Sequence, residues 1–292
     1  MRSRSSNSSP LVSSDGVLKW TLGACALLAG GVLLLILGFL LIESWPLIAS
    51  RRLLGFFLDR DWYPQQQAFG LRAMLAGSLL VSGLAVLLAA PCGLVVAVWG
   101  RLYAPGLGGH LCRSFMELMA GIPSVVYGLW GLTVIVPWIN HITPPGASLL
   151  AGSLVLGLMI LPLVALSADA GIAQVPQTYL RAAAALGLSR WGTLTRILLP
   201  QAAPAIIAGG ILQLGRALGE TMAVLMVCGN VVQIPDSLFA PVRTLTANIA
   251  LEMAYATGAH HTALFVSGLA LLLLTIALMS LAHRIWKPPY GA

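Results

Sequence analysis

Three polar side chains lie close together in an otherwise apolar stretch of the second half of the chain. Gln213, Arg216 and Glu220 follow one another at intervals of three and four residues, so a helix would carry all three on one face. An unpaired arginine inside a membrane costs about 2.5–3.5 kcal/mol on insertion scales, so it needs a partner or a water-filled cavity. Two roles fit this pattern. One is an Arg216–Glu220 ion pair that fixes helix packing, and the other is a lining of a solute path.

A second polar stretch interrupts the hydrophobic half of the chain at 181–200. Its sequence is RAAAALGLSRWGTLTRILLP. Alanine and leucine favour helix whereas glycine and proline interrupt it, so the stretch predicts a short helix, a turn near Gly187 and a second helix that ends at Pro200. Three arginines keep its outer surface polar: Arg181, Arg190 and Arg196. We expect a helical hairpin outside the membrane.

The composition places both stretches in an integral membrane protein. Apolar residues make up 58% of the 292 residues, charged residues make up 9%, and the mean hydropathy is +0.91. That leaves too little polar surface for a water-soluble globule of this size. The formal charge is +7, but the basic residues lie between apolar runs and form no dense patch with interleaved aromatics, so no nucleic-acid partner is expected.

Six apolar runs are long enough to cross a bilayer as helices. They cover 20–42, 74–99, 115–138, 147–168, 204–227 and 262–281. The third run contains the sequence GIPSVVYG at 121–128, whose proline and glycines favour an early bend in that helix. The predicted fold class is therefore an all-α integral membrane protein with six transmembrane helices and both termini on one side.

The basic residues predict which side that is. Ten of the sixteen lie on the side of the termini: Arg2, Arg4, Lys19, Arg101, Arg113, Arg181, Arg190, Arg196, Arg284 and Lys287. Five lie opposite: Arg51, Arg52, Arg60, Arg72 and Arg243. The positive-inside rule then makes both termini cytoplasmic. We expect four parts: a disordered cytoplasmic tail at 1–19, a first transmembrane helix with a periplasmic segment at 20–70, a transmembrane domain at 71–284 whose cytoplasmic loop covers 169–201, and a cytoplasmic tail at 285–292.

No catalytic, cofactor or metal constellation is present in the sequence. The four cysteines form no CxxC pair, and the adjacent His260 and His261 would point apart on a helix, which favours interfacial histidines over shared metal ligation. There is no GxxxxGK[ST], GxSxG or HExxH pattern, so the chain supplies neither an ATP-binding loop nor a hydrolase centre. We expect no cofactor, no metal and no enzymatic activity in this chain.

The residues of the 181–200 stretch resemble the EAA loop of binding-protein-dependent ABC importer permeases. The matching positions are Arg181, Ala182, Ala183, Gly187, Ile197, Leu199 and Pro200. The resemblance implies a type I importer (MetI-like) architecture and docking of this loop on a separate ATPase subunit. Arg181 departs from the family pattern because a glutamate normally stands there, so the charge at the start of the loop is reversed.

Three further segments are similar to the C-type permease subunit of phosphate ABC importers (PstC type). They are RALGETMAV at 216–224, GIPSVVYG at 121–128 and FFLDRDWYP at 56–64, and the likeness runs over 56–252. It implies transport of inorganic phosphate across the cell inner membrane, an ATP-binding subunit present as a homodimer, an A-type permease as the second half of the pathway, and a periplasmic phosphate-binding protein. That protein would deliver phosphate partly onto 43–70 and 229–261. Three alternatives remain open: a permease for another oxyanion such as sulfate or molybdate, a gradient-driven secondary transporter, which would be expected to show inverted repeats, and a scaffold or sensor that transports nothing.

Overall fold

A computed structural model describes residues 11–49, 53–59, 61–104 and 106–285. Most of this part of the chain is helical. The elements in chain order are α1 (Leu11–Ala49), α2 (Leu53–Leu58), β1 (Trp62–Tyr63), β2 (Ala68–Phe69), α3 (Arg72–Val98), α4 (Gly106–Ala120), α5 (Ser124–Trp130), α6 (Val136–Asn140), α7 (Leu149–Ala173), α8 (Gln177–Ala185), α9 (Arg190–Thr193), α10 (Leu199–Leu218), α11 (Met222–Val227), α12 (Leu245–Glu252) and α13 (Ala259–Ile285). A 3-10 turn, Pro64–Gln66, lies within the β-hairpin. Three π-helical turns connect elements: Trp99–Tyr103 after α3, Gly131–Ile135 between α5 and α6, and Leu194–Leu198 between α9 and α10.

The predicted all-α membrane fold is confirmed. Five helical segments of the described chain are long and apolar enough to cross a membrane, and a sixth span results if the bent pair 106–120 and 124–140 is counted as one. The two arms of that pair meet at 88°. The prediction of one helix over 115–138 was therefore wrong at its start. Pro123 precedes α5 with an extended ψ of 140°, and the bend that we expected from the glycines and the proline is large enough to turn α4 away from α5.

Two other boundaries differ from the sequence prediction. Helix α1 begins at Leu11, inside the stretch expected to be a disordered tail, while 1–10 and 286–292 lie outside the described residues. The fifth candidate span lies within a helical segment that runs over Arg190–Leu218 rather than over 204–227, so Pro200 does not end a helix. Proline removes one backbone donor and crowds the preceding turn of a helix. Here that preceding turn is π-helical, because Leu194–Leu198 lies directly before α10, and a π-helical turn is wider than an α-helical one. The helix therefore continues through Pro200.

Helix α7 is the centre of the bundle, and buried residues cover most of its circumference. It packs against α3 and α11 through Val81, Ala85, Val155, Leu156 and Val227. Glycines allow the closest approach: a Cβ on Gly93 would lie 2.8 Å from Cγ1 of Val164, and one on Gly157 would lie 3.3 Å from the carbonyl oxygen of Ala85. By contrast, α1 lies on the outside against α13, where the rings of Phe39 and Phe265 are 5.5 Å apart.

The two ends of the bundle differ in character. At one end, which we call the hairpin end, β1 and β2 pair antiparallel, with Trp62 opposite Phe69. The hairpin covers a second cluster of buried residues that includes Leu71, Met74 and Leu264. Helix α3 leads from there to the opposite end, which we call the coupling end because it carries α8 and α9.

Candidate substrate pathway and coupling segment

Arg216 lies in the last turn of α10, because that helix ends at Leu218. Glu220 follows in a short non-helical break before α11 begins at Met222. The expectation that a single helix carries Gln213, Arg216 and Glu220 on one face was therefore wrong. Within the described part of the chain, Arg216 takes part in no ion pair within 4.0 Å. The Arg216–Glu220 pair, one of the two roles considered above, is not formed.

Glu220 stabilises the break between the two helices. Its Oε1 accepts a hydrogen bond from the backbone N–H of Ala223 at 3.3 Å, as a capping carboxylate does at a helix start. Its own carbonyl oxygen accepts from Oγ1 of Thr246, at 2.8 Å, in the first turn of α12. The break therefore depends on a side chain 26 positions later in the chain, which no local spacing could indicate.

The depth of Arg216 in the bundle follows from how α10 packs on α7. A Cβ on Gly171 would lie 3.1 Å from Cβ of Ala205, and one on Gly209 would lie 2.9 Å from Cβ of Ser167. Continuing this antiparallel register places Arg216 level with Ile160, close to the midpoint of the candidate span Leu149–Ala173. Arg216 therefore lies about halfway along α7, at the surface of this chain and in the last turn of its own helix.

Among the described residues, Oε1 of Gln213 has no hydrogen-bond partner and Arg216 has no ion-pair partner. Gln213, one turn before Arg216, is half-buried, and its Oε1 has no hydrogen-bond partner in the described part of the chain. Arg216 is exposed at the surface of this single chain. A guanidinium that faces outward at half depth needs water, an anion or another subunit as its partner.

Only one glycine of the GxxxG spacing at Gly215 and Gly219 admits another helix. Gly215 is buried against α13, where a Cβ would lie 3.5 Å from Cε of Met279. Gly219 is exposed, and a Cβ there would meet only carbonyl oxygens of its own turn. Of the two glycines, only Gly215 therefore provides the close helix approach for which this spacing is known.

We call residues 177–200 the coupling segment. It forms the helical hairpin predicted for 181–200, except that the second helix continues past Pro200. Helix α8 ends in a left-handed Gly187 with φ +69°, and the next N–H, of Leu188, bonds back to the carbonyl of Ala183 at 3.0 Å, a Schellman arrangement. A Cβ on Gly187 would meet nothing within 4 Å. The backbone conformation, not lack of space, therefore requires glycine there. Oγ of Ser189 caps the following helix by accepting from Gly192 N–H at 3.1 Å.

The matched residues of the EAA-like loop divide between a buried and an exposed side. Ala183 is buried, Ile197 and Leu199 are half-buried, and the others are exposed: Arg181, Ala182, Gly187 and Pro200. The buried side joins the coupling segment to the ends of α3 and α7 through a cluster of Ile172, Val175, Leu194, Leu198 and Ala202. Two large apolar side chains protrude from the outer side, Leu186 at 78% and Trp191 at 66% exposure. The protruding surface has the mixed apolar and basic character of a docking surface.

Two carboxylates with several partners escaped the sequence reasoning. At the coupling end, Asp169 accepts from Nε of Arg101 at 2.7 Å and from Nη1 of Arg113 at 3.3 Å. These partners are 68 and 56 positions away along the chain, so local spacing carried no signal. From the sequence, Arg101 and Arg113 contributed only to the prediction of topology, and Asp169 only marked the start of the predicted loop at 169–201.

At the hairpin end, Glu252 holds three segments together. Its carboxylate accepts from Nε1 of Trp62 at 2.7 Å and from Nη1 of Arg243 at 2.7 Å, and it lies 2.8 Å from Nε2 of His260. Glu252 and His260 are both buried, so His260 at the start of α13 belongs to this hydrogen-bonded network. Its location at the membrane interface stays a prediction. Buried hydrogen bonding at this position explains how a histidine and two charged residues are tolerated in the fold.

A comparison with protein families gives one match that covers most of this chain. The model for the inner membrane component of binding-protein-dependent transport systems matches residues 89–288, which is more than half of the chain. The chain belongs to this family. As a binding-protein-dependent permease, it is a multi-pass, non-catalytic membrane subunit of an ABC importer, and such permeases assemble with ATPase subunits and a periplasmic binding protein. Membership rules out the secondary transporter and the scaffold considered above.

Relatives and solved structures agree with this assignment. The probable ABC transporter permease protein YqgH of Bacillus subtilis is 37% identical over 272 residues, which is 90% of this chain and 87% of that protein. The phosphate transport system permease protein PstC of Mesorhizobium japonicum is 31% identical over 296 residues, 92% of this chain and 89% of that protein. Among solved structures, a bacterial alginate ABC transporter in complex with a periplasmic protein superposes with a TM-score of 0.63 at 16% identity, over 93% of this chain and 96% of that one. The MetNI methionine transporter gives 0.57 at 17% identity, over 79% of this chain and 100% of that one. At these identities the two structures show a shared importer fold.

Proposed function

We propose that this binding-protein-dependent permease is a PstC-type subunit that forms half of the pathway of an ATP-driven inorganic phosphate importer. Relatives named PstC that align over most of the chain support the choice of phosphate. The motifs at 56–64, 121–128 and 216–224 support it as well. The importer would lie in the cell inner membrane with an A-type permease as its second half, an ATPase homodimer on the cytoplasmic side and a phosphate-binding protein outside.

The observation that carries the choice of an oxyanion is the unpaired Arg216 at half depth. A guanidinium offers several donors to a tetrahedral oxyanion in charge-assisted hydrogen bonds. In the pathway, Arg216 would lower the barrier to phosphate, while the amide of Gln213 one turn earlier adds a hydrogen-bonding group. Glu220 holds α11 in place, and its negative charge nearby keeps phosphate binding weak enough for release.

The coupling segment supports docking of the ATPase. Its polar outer surface bears Arg181 and the exposed Leu186 and Trp191, while its buried side is fixed to α3 and α7. A short helix with an anchored inner side transmits movement of a bound partner to the helices behind it. We propose that 169–201 is a cytoplasmic loop and that both termini are cytoplasmic. In this proposal 20–70 comprises the first transmembrane helix and a periplasmic segment, and 71–284 is the permease domain.

Another oxyanion is the second candidate. The printed name of the YqgH relative specifies an ABC permease and no solute, and an arginine attracts sulfate or molybdate by the same electrostatics as phosphate. Discrimination between these ions would rest largely on the periplasmic binding protein.

Reconstitution tests the proposal. The chain is co-purified with its ATPase, second permease and binding protein, and the complex is placed in liposomes with ATP inside to follow uptake of labelled phosphate delivered by the binding protein. We expect ATP-dependent phosphate uptake that unlabelled phosphate abolishes and that excess sulfate or molybdate leaves unchanged. Uptake of sulfate or molybdate in place of phosphate would refute the phosphate assignment and support the second candidate.

A further inference from the structure

Asp169 is the one carboxylate at the coupling end that joins separate elements of the described chain. It lies four residues before the end of α7 and bonds Arg101 in the π-helical turn after α3 and Arg113 in α4. Its side chain is only 19% exposed, and that of Arg101 is 32% exposed. Helix α7 continues through a short connection into α8, so Asp169 links the coupling segment to α3 and α4. We call these three residues the Asp169 clamp.

Besides the clamp, helix α4 is held at this end by a close backbone approach, where a Cβ on Gly109 would lie 2.6 Å from the carbonyl oxygen of Gly100. Met116 is its one buried residue among the described ones. The second acidic partner of Arg113 is Glu117, whose Oε1 lies 2.9 Å from Nε of Arg113. Because Glu117 belongs to α4 itself, that contact cannot hold the helix to the rest of the bundle. Asp169 provides the ionic contact between α4 and α7.

From α4 a continuous series of contacts leads to the candidate pathway. Oη of Tyr127 in α5 donates to the carbonyl oxygen of Met119 in α4 at 3.0 Å, which ties the two arms of the 88° bend together. One residue later, a Cβ on Gly128 would lie 2.9 Å from Cα of Ala223 in α11. Helix α11 is the helix that Glu220 caps. Movement of α4 therefore reaches the break beside Arg216 through directly packed elements.

A second hydrogen bond joins the coupling segment to the same region. Nη1 of Arg190, the first residue of α9, donates to the carbonyl oxygen of Leu102 at 3.3 Å. Leu102 is adjacent to Arg101, so α3, α4, α7 and α9 meet around the Asp169 clamp. Removal of the Asp169 charge would leave the guanidinium groups of Arg101 and Arg113 facing each other without their shared counterion, which repels α4 from the end of α3.

We propose that Asp169 is a positioning residue for coupling, which keeps α4 attached to the coupling segment so that ATP-driven movement of α8 reaches the break between α10 and α11. This inference rests on the proposed phosphate transport. Without the clamp, the ATPase still docks on α8 and hydrolyses ATP, but the movement is only partly transmitted to the pathway. Asp169 touches neither solute nor nucleotide in this scheme.

The test is the number of phosphate ions imported per ATP hydrolysed by the complete transporter in liposomes. Asp169→Asn removes the charge at nearly constant shape, and Asp169→Glu restores it. Arg113→Gln removes one arm of the clamp from a side chain that is 60% exposed, so this variant is available if Asp169→Asn assembles poorly. Glu117→Gln is the matched control, because it removes the other acidic partner of Arg113 and leaves the clamp intact.

We expect Asp169→Asn to lower the phosphate-to-ATP ratio by about threefold or more, with ATP hydrolysis close to that of the wild type. Arg113→Gln is expected to lower the ratio in the same direction, Asp169→Glu to recover it at least in part, and Glu117→Gln to leave it unchanged. An unchanged ratio in Asp169→Asn, or in Arg113→Gln should the first variant not assemble, would overturn the inference. A parallel fall in uptake and hydrolysis at equal assembly would also overturn it, because that is the signature of a merely structural role. Failure of the proposed function itself is distinguishable, since the wild-type complex would then import no phosphate.

Discussion

Replacement of Glu252 tests the buried network at the hairpin end most sharply. The carboxylate is 8% exposed and accepts hydrogen bonds from Trp62 and Arg243. In Glu252→Gln, one oxygen becomes an amino group that cannot accept, so either the indole N–H or the guanidinium loses its acceptor. A buried donor without a partner costs about 1–3 kcal/mol, and breaking a buried charge pair costs about 3–5 kcal/mol. Because the side chain of Arg243 is still 19% exposed, we take the lower end of the range for a broken charge pair. The expected loss in the free energy of unfolding is then about 3 kcal/mol.

This loss is measurable as a melting temperature in detergent. At roughly 2–4 °C per kcal/mol for a chain of comparable size, Glu252→Gln is expected to lower the Tm by about 6–12 °C. The control is Glu43→Gln, because Glu43 lies 4.0 Å from Nδ1 of His261 with a side chain that is 36% exposed. An exposed pair of this kind contributes little, so the control is expected to change the Tm by about 1 °C or less. Equal Tm values for the two variants would refute the reasoning that the network joins the hairpin to α12 and α13.

Two further predictions concern helix packing and docking. Gly128→Ala places a Cβ 2.9 Å from Cα of Ala223, so α5 and α11 must separate. We expect the free energy of unfolding to fall by about 1–3 kcal/mol and phosphate uptake to fall with it. Gly210→Ala is the control, because a Cβ there meets nothing within 4 Å, and equal uptake and Tm in the two variants would contradict the packing argument. Arg181→Glu restores the carboxylate usual for the EAA loop at an exposed position of α8, and we expect the affinity for the ATPase, measured by titration of the labelled complex, to change by about threefold or more. An unchanged affinity would mean that Leu186 and Trp191, not the charge, determine docking.

The spans were predictable because length and hydropathy alone decide which segments can cross a bilayer. A bend at GIPSVVYG was predicted, but its angle of 88° was not, because the angle depends on how α4 and α5 pack on the bundle. The end of α10 at Leu218 was not foreseeable, since the break after it is stabilised by Thr246 from a distant helix. The position of Arg216 near the middle of a membrane span stays a prediction, which the register of α10 on α7 supports.

Among the functional candidates, too, residues with a local sequence pattern were predictable and residues with distant partners were not. The EAA-like positions were found because their order within twenty residues is itself the signal. Asp169 and Glu252 were missed as organising residues because their partners come from other elements, Trp62 being 190 positions from Glu252. In both cases the partners are adjacent only after the helices have packed, so tertiary contacts rather than spacing define the site.

Phosphate uptake by an Arg216→Gln transporter tests the central claim most directly. The variant and an Arg284→Gln control, an exposed arginine at the end of α13, are assembled with the same partners and compared in liposomes with ATP inside. Loss of a charged donor to the oxyanion is expected to lower uptake by about tenfold or more at normal assembly, while the control transports as the wild type does. Normal uptake by normally assembled Arg216→Gln would contradict the account by removing Arg216 from the pathway, and loss of assembly would contradict it by showing that Arg216 serves packing between subunits.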